Sequence, residues 1–143
     1  MGKFSIAVKM PISEETAMKQ VMSFLEYYGK DPDDGDKDKQ KAVEQMLSKV
    51  LKYIRQGLIE IKPDMSITQK LQKPSAGSTA TEISYRKYKA SDIIETEEDD
   101  SKFGSRLNRL LGALSGLGED VFTKSLEPID YKVSEAIGVL FFM

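Results

Sequence analysis

The chain has 143 residues, 40% apolar and 31% charged, with a formal net charge of −2, enough for one domain or two small ones around a lean core. It has no Cys and no His. That excludes disulfides, thiolate metal sites and cysteine nucleophiles, and removes the commonest general base, metal ligand and near-neutral pH switch.

The opening MGKFSIAVKM has no long apolar run, and nowhere do about 18 apolar residues follow one another, so neither a signal peptide nor a membrane span is expected. The reading is of a soluble, intracellular protein. Residues 3–10 alternate Phe4, Ile6, Val8 and Met10 with smaller or polar residues, as a strand does, and Pro11 ends the run. Ser13 is placed to cap a helix, with Glu14 and Glu15 against the positive end of its dipole, that carries Ala17, Val21, Leu25 and Tyr28 on one side, with Met18, Met22 and Phe24 beside them, and Gly29 stops it. KDPDDGDKDK, residues 30–39, invites a calcium-loop reading, but counting from Asp31 puts Gly35 fifth and Ala42 twelfth, where such a loop needs Gly sixth and Glu twelfth. It reads instead as a solvated turn.

A second helix is predicted over 38–56, striped by Val43, Met46, Leu47, Val50, Leu51 and Ile54 and ended by Gly57. It pairs with the first as an antiparallel hairpin. GLIEIK then reads as a strand. Two more alternating runs, 65–72 and 81–88, flank the turn-rich KPSAGSTA and predict a β-hairpin, with Gln69 as the exception among Met65, Ile67 and Leu71. Arg86 and Tyr88 would lie on the outer side and Ile83 and Tyr85 on the inner. Ser91 is placed to cap a short helix with Asp92 in its first turn, within reach of Arg86 across the corner. ETEEDD, residues 95–100, reads as a solvated loop. Ser101 is placed to cap a helix with Phe103, Leu107, Leu110, Leu111 and Leu114, broken by Gly116 and Gly118. A short turn through Val121 and Phe122 leads to Pro128, at the first turn of a last helix. That helix shows Ile129, Val133, Ala136, Ile137, Leu140 and Phe141 on one face and a second stripe, Tyr131, Val139 and Phe142, off it. Deep burial on all sides is hard to arrange in so small a chain, so the second stripe is a candidate partner surface, as are the adaptable Met18, Met22 and Met46 of the first two helices.

The segment ITQKLQKPSAGSTATEISYRKYKASDI, then a leucine-rich helix and SLEPIDYKVSEAIGVLFF, resembles the E-type tail assembly chaperones of phages with contractile tails. Leu71 and Pro74 match a Leu-x-x-Pro element before the hairpin turn. Arg86 and Asp92-Ile93 match an Arg, spacer, Asp-Ile element, and Leu126, Pro128 and Asp130 match a Leu-x-Pro-x-Asp helix start. The match covers about residues 65–143, so the chain divides into a strand-helix-helix-strand module, 1–64, and a chaperone-like hairpin plus helices, 65–143. The small members of that family have nothing like the helical hairpin, and the acidic run lengthens the link before the leucine helix.

The resemblance implies a non-enzymatic helper in the host cytoplasm, absent from the mature virion. Such a protein coats the tape measure protein during assembly and helps recruit tail tube subunits. No catalytic residue, cofactor or metal is expected, and the implied partners are proteins, with a homo-oligomer possible and no membrane. Candidate partner-binding residues are Tyr131, Val139, Phe142, Arg86 and Tyr88. Two other function classes stand beside this one, a virion structural or connector protein and a small nucleic-acid-binding regulator. The basic, aromatic YRKYK supports the last, but it is a small footprint beside an acidic run, in a chain without net positive charge. The expected fold class is α+β.

Overall fold

Ser13 opens the first helix as its position predicts, its Oγ accepting the N–H of Thr16. The computed structural model describes residues 10–73 and 80–143. The strand expected over 3–10 and Pro74 lie outside those residues, apart from Met10, which is in no strand. Helix α1 runs Glu14–Tyr27 and α2 runs Lys37–Arg55, with Asp36 accepting the N–H of Lys39 at the start of α2. Both end alike. Gly29 and Gly57 take positive φ, and the N–H after each reaches back to Leu25 and Tyr53 respectively. Only glycine adopts that conformation without steric cost, so two helices of different sequence stop by one device. The N–H of Ile12 bonds the Arg55 carbonyl, which places the start of α1 at the end of α2 and makes the pair antiparallel.

Strands β1 (Ile59–Ile61), β2 (Ile67–Lys70) and β3 (Glu82–Tyr85) form one antiparallel sheet in that order. Ile61 pairs with Ile67, and Ile67 with Tyr85. The strands are shorter than the alternating runs. The tight β1–β2 turn takes Met65 to φ +70, held by Asp64 Oδ1 accepting from Ser66 N–H and Oγ–H. The 64/65 boundary expected from sequence falls inside this turn. The strands on either side of it are paired, and buried residues from both sides belong to one core cluster.

Three expectations for the next stretch are corrected. Helix α3 spans Ala90–Glu98 and starts at Lys89 rather than Ser91. Asp92, at its third position, reaches back to accept the Lys89 N–H. The acidic run is not all loop, because Glu95–Glu98 continue the helix, which glutamate favours intrinsically. Ser101 does not cap α4 (Phe103–Ser115), whose N-cap is Lys102; its hydroxyl is held by Asp99. Gly116 ends α4 at φ +73, and a single π-helical turn, Val121–Ser125, leads to α5, Pro128–Phe142. The fold is α+β. Among the described residues no helix is long and apolar enough to cross a membrane.

Helix α5 is the structural centre. Eight of its residues are buried, including Val133, Ile137, Leu140 and Phe141, because α2 and α4 both pack on it. Phe24 of α1 meets Phe141 edge-on at 5.4 Å, and Ile129, placed on the inner face by spacing, is 49% exposed at the first turn. The expected difficulty of burying a helix over most of its girth is overcome by enclosure between two other helices and a sheet.

Beneath α5 lies a buried polar cluster. Gln69, the exception in its strand's alternation, is fully buried. Its Oε1 accepts from Tyr85 Oη–H and Ser134 Oγ–H, each at 2.7 Å, and its Nε2 donates to the Asp130 carbonyl at 2.9 Å. The Asp130 carboxylate, also buried, accepts the N–H groups of Gln72 (2.7 Å) and Lys73 (3.0 Å). A buried carboxylate must be met by donors, and the third position of a helix adds favourable dipole. Pro128 and Asp130 thus start α5 and fasten the end of β2 to it.

The sign of a glycine-to-alanine change separates two sites in α4. A Cβ on Gly112 would meet the backbone of Gly118 and Glu119 at 2.5 Å, whereas one on Gly104 meets nothing within 4 Å. Gly104→Ala therefore gains about 0.5–1 kcal/mol from reduced chain entropy. Gly112→Ala loses about 2 kcal/mol or more, because backbone must move. Urea denaturation of the two variants checks both signs.

Candidate functional site

The five candidate partner-binding residues lie on three sides of the molecule. Tyr131 and Phe142 face α4, where Tyr131 Oη donates to Asn108 Oδ1 at 3.0 Å. The Phe142 ring meets Phe103 edge-on at 5.2 Å and lies 5.4 Å from the Arg106 guanidinium. Val139 faces the other way, onto the floor of a hollow of about 520 Å³ between α2 and α5. All three are half-buried; Tyr131 and Phe142 are engaged by α4, while Val139 opens onto the hollow.

Arg86 and Tyr88 share the corner between β3 and α3. The two terminal nitrogens of Arg86 donate to the two carboxylate oxygens of Asp92, both at 2.8 Å, so the contact expected across the corner is bidentate. The Asp92 side chain is 5% exposed and Arg86 43%. Tyr88 is half-buried against Phe141 (5.3 Å) and Tyr28 (6.1 Å), and the Tyr28 hydroxyl accepts the Tyr88 N–H. β3 ends at Tyr85, so Arg86 and Tyr88 lie beyond the strand: Arg86 stays exposed, as expected, whereas Tyr88 packs inward against Phe141. Tyr85 is buried, and its phenol is pushed well above the ordinary range by desolvation. This corner braces the fold.

The α1–α2 face is different. Met18 and Met22, one turn apart, are 41% and 50% exposed. They line a hollow of about 430 Å³ with Val43, Leu47 and Leu51 of α2 and Pro32 of the connecting turn. The three α2 side chains are only half-buried. Methionine's unbranched, polarizable side chain repacks easily, so such a floor suits varied apolar partners. Met46, grouped with the other two methionines by sequence, lies on the opposite flank of α2, in the hollow with Val139. Glu14, Asp33 and Glu44 also line the methionine hollow, all exposed. Sequence reasoning assigned Glu14 to the helix dipole and Asp33 to a solvated turn. The signal that unites them is tertiary, because they come from three segments.

Among the described residues no cluster of three or more carboxylates is arranged to hold a metal ion. The concave patch around Glu95, Glu98 and Asp100 is partly neutralised by Arg109, which bonds Asp99 at 2.8 Å. The Asp99 carboxyl is brought down to about 2, mainly by hydrogen bonds from Ser101 and further by Arg109. Compared with protein-family models, curated proteins and solved structures, the chain matches none.

The Arg86 hydrogen bonds, seconded by the Lys89 N–H, hold the Asp92 carboxyl below its ordinary value. A depressed carboxylate pKa contributes stability above the unfolded value and loses it as pH falls through the folded one. Asp92→Asn is expected to cost about 1–2 kcal/mol at neutral pH. The gap to the parent should close on acidification from about pH 5 to about pH 2. Thermal melts across that range check it; a gap independent of pH would assign the loss to packing.

Proposed function

We propose that this chain is a non-enzymatic phage or prophage tail assembly chaperone that binds helical segments of the tape measure protein and helps recruit tail tube subunits. The observation that carries the reading is the open methionine-floored groove between α1 and α2, where Met18 and Met22 stand exposed above the half-buried Val43, Leu47 and Leu51. A groove between two helices accepts a third through anchors at i, i+3/i+4 and i+7. An adaptable floor suits a long helical client whose successive segments differ.

The matched motif residues support the family reading. Arg86 with Asp92, and Asp130 with Gln72, make contacts between the ends of the hairpin strands and the helices, and Pro128 opens α5, as the ordered motifs of a shared fold would. On this reading the helical hairpin, which the small family members lack, is the client-binding addition. The alternative of a nucleic-acid regulator has less support. In YRKYK, Tyr85 is buried, Arg86 is engaged by Asp92 and Tyr88 packs on Phe141, so an open stacking platform is missing from this stretch.

The test is affinity capture of the tagged protein from infected or induced native host cells, with purified particles analysed in parallel. A long helical protein and a tail tube subunit should co-purify, and the chain should be absent from finished particles. Met18→Asp with Met22→Asp should abolish capture of the long protein without changing the melting temperature by more than a few degrees, since both side chains are already exposed. Presence of the chain in mature particles would favour a structural component instead.

A further inference from the structure

The two flanks of α2 carry opposite charge. Among the described residues, the groove on the α1 side is lined by Glu14, Asp33 and Glu44 and by no Lys or Arg. The hollow on the α5 side is lined by Lys49, Lys52 and Lys132, with Glu135 the one acidic residue. None of those three carboxylates, and none of those three lysines, belongs to an ion pair among the described residues. Two other carboxylates of α1 and the turn do pair, Glu15 with Lys19 at 3.4 Å and Asp34 with Lys39 at 3.5 Å. Among the described residues, the methionine groove therefore presents an apolar floor under an acidic rim with no cation lining it.

We infer that the α1–α2 groove selects a basic amphipathic helix, seating its apolar stripe on Met18, Met22, Val43, Leu47 and Leu51 and its flanking Lys or Arg against Glu14, Asp33 and Glu44. The inference rests on the proposed role of this groove and adds the charge of the client segment. Rim charges act chiefly by steering encounter and rejecting like-charged segments, while the floor supplies contact area. A chaperone so built would pick the basic stretches of a long helical client and pass over acidic ones. The lysine-lined flank sets the opposite preference one helix face away, which keeps a basic segment from docking there.

Three synthetic peptides of about 18 residues, long enough to be helical, test the inference on the full chain. They share one leucine stripe and differ in the flanking residues, which are all Lys, all Glu or all Gln. A fourth has the Lys composition with the stripe scrambled. The Lys peptide should bind at least about tenfold more tightly than the Glu peptide, with the preference shrinking as salt rises from about 50 to about 500 mM. Glu14→Lys with Glu44→Lys should reverse the order. Lys49→Glu with Lys52→Glu should leave it intact, with thermal melts confirming that each variant is folded. Equal binding of the three striped peptides would overturn the charge selection and leave the groove reading standing. Binding of none of them, or binding unaffected by Met22→Asp with Leu47→Asp, would overturn the groove reading and the inference with it. Equal binding of the scrambled peptide, or a preference abolished by the Lys49/Lys52 variant, would also overturn the inference.

Discussion

The side-chain amide of Gln69 is where sheet and helices are joined. It sits with no exposed surface on the middle strand and offers its oxygen to Tyr85 and Ser134 and its nitrogen to the Asp130 carbonyl. A buried amide without partners would cost about 1–3 kcal/mol for each orphaned group. Satisfied, it is directional as apolar contact is not, and so it fixes which turn of α5 lies over which residue of β2. Asp130 adds the second fastening by holding the chain just after β2 through two N–H groups. The order of the remaining elements follows from this join, since α2 and α4 both pack on the helix that it orients.

Enclosure of α5 explains a pattern that the sequence displays without interpreting. An apolar stripe beyond the core-facing one indicates either a partner or burial on several sides. Tyr131 on Asn108 and Phe142 on Phe103 show burial within the chain, while Val139 opens onto the hollow between α2 and α5. Exposed apolar side chains stand on several elements, and on α1 Met18 and Met22 are 41% and 50% exposed over the groove shared with α2.

Helices were the legible part of the fold, and the reasons are local. Ser13, Gly29, Gly57, Gly116 and Pro128 act at the positions where capping chemistry puts them. The bidentate Arg86–Asp92 pair was also foreseeable, because six residues across a strand-to-helix corner bring the two side chains together. Gln69 was not, since alternation registers that a residue is polar but not that three distant groups wait for it. The acidic run misled for a related reason: its charge suggests solvation, yet glutamates hold a helix well while remaining exposed. The groove was half legible. Two of the three grouped methionines line it, while Met46 lies about 100° of helical rotation from Leu47 and faces the other flank. The acidic rim could not be read at all, because Glu14, Asp33 and Glu44 converge only when the hairpin closes.

Lys30 follows the first helix, and its ammonium reaches across to the carbonyls of Phe141 and Met143 at 2.9 and 3.0 Å while standing over the Tyr88 ring. A cation placed there satisfies acceptors that the last turn of a helix leaves open. The loop that closes the helical hairpin is thereby tied to the far end of the core helix. Amide protons in the last turn of α5 and in the 28–31 segment should then exchange with solvent as one cooperative unit, and anything that wedges α1 from α2 would be felt as fraying at the other end of the chain.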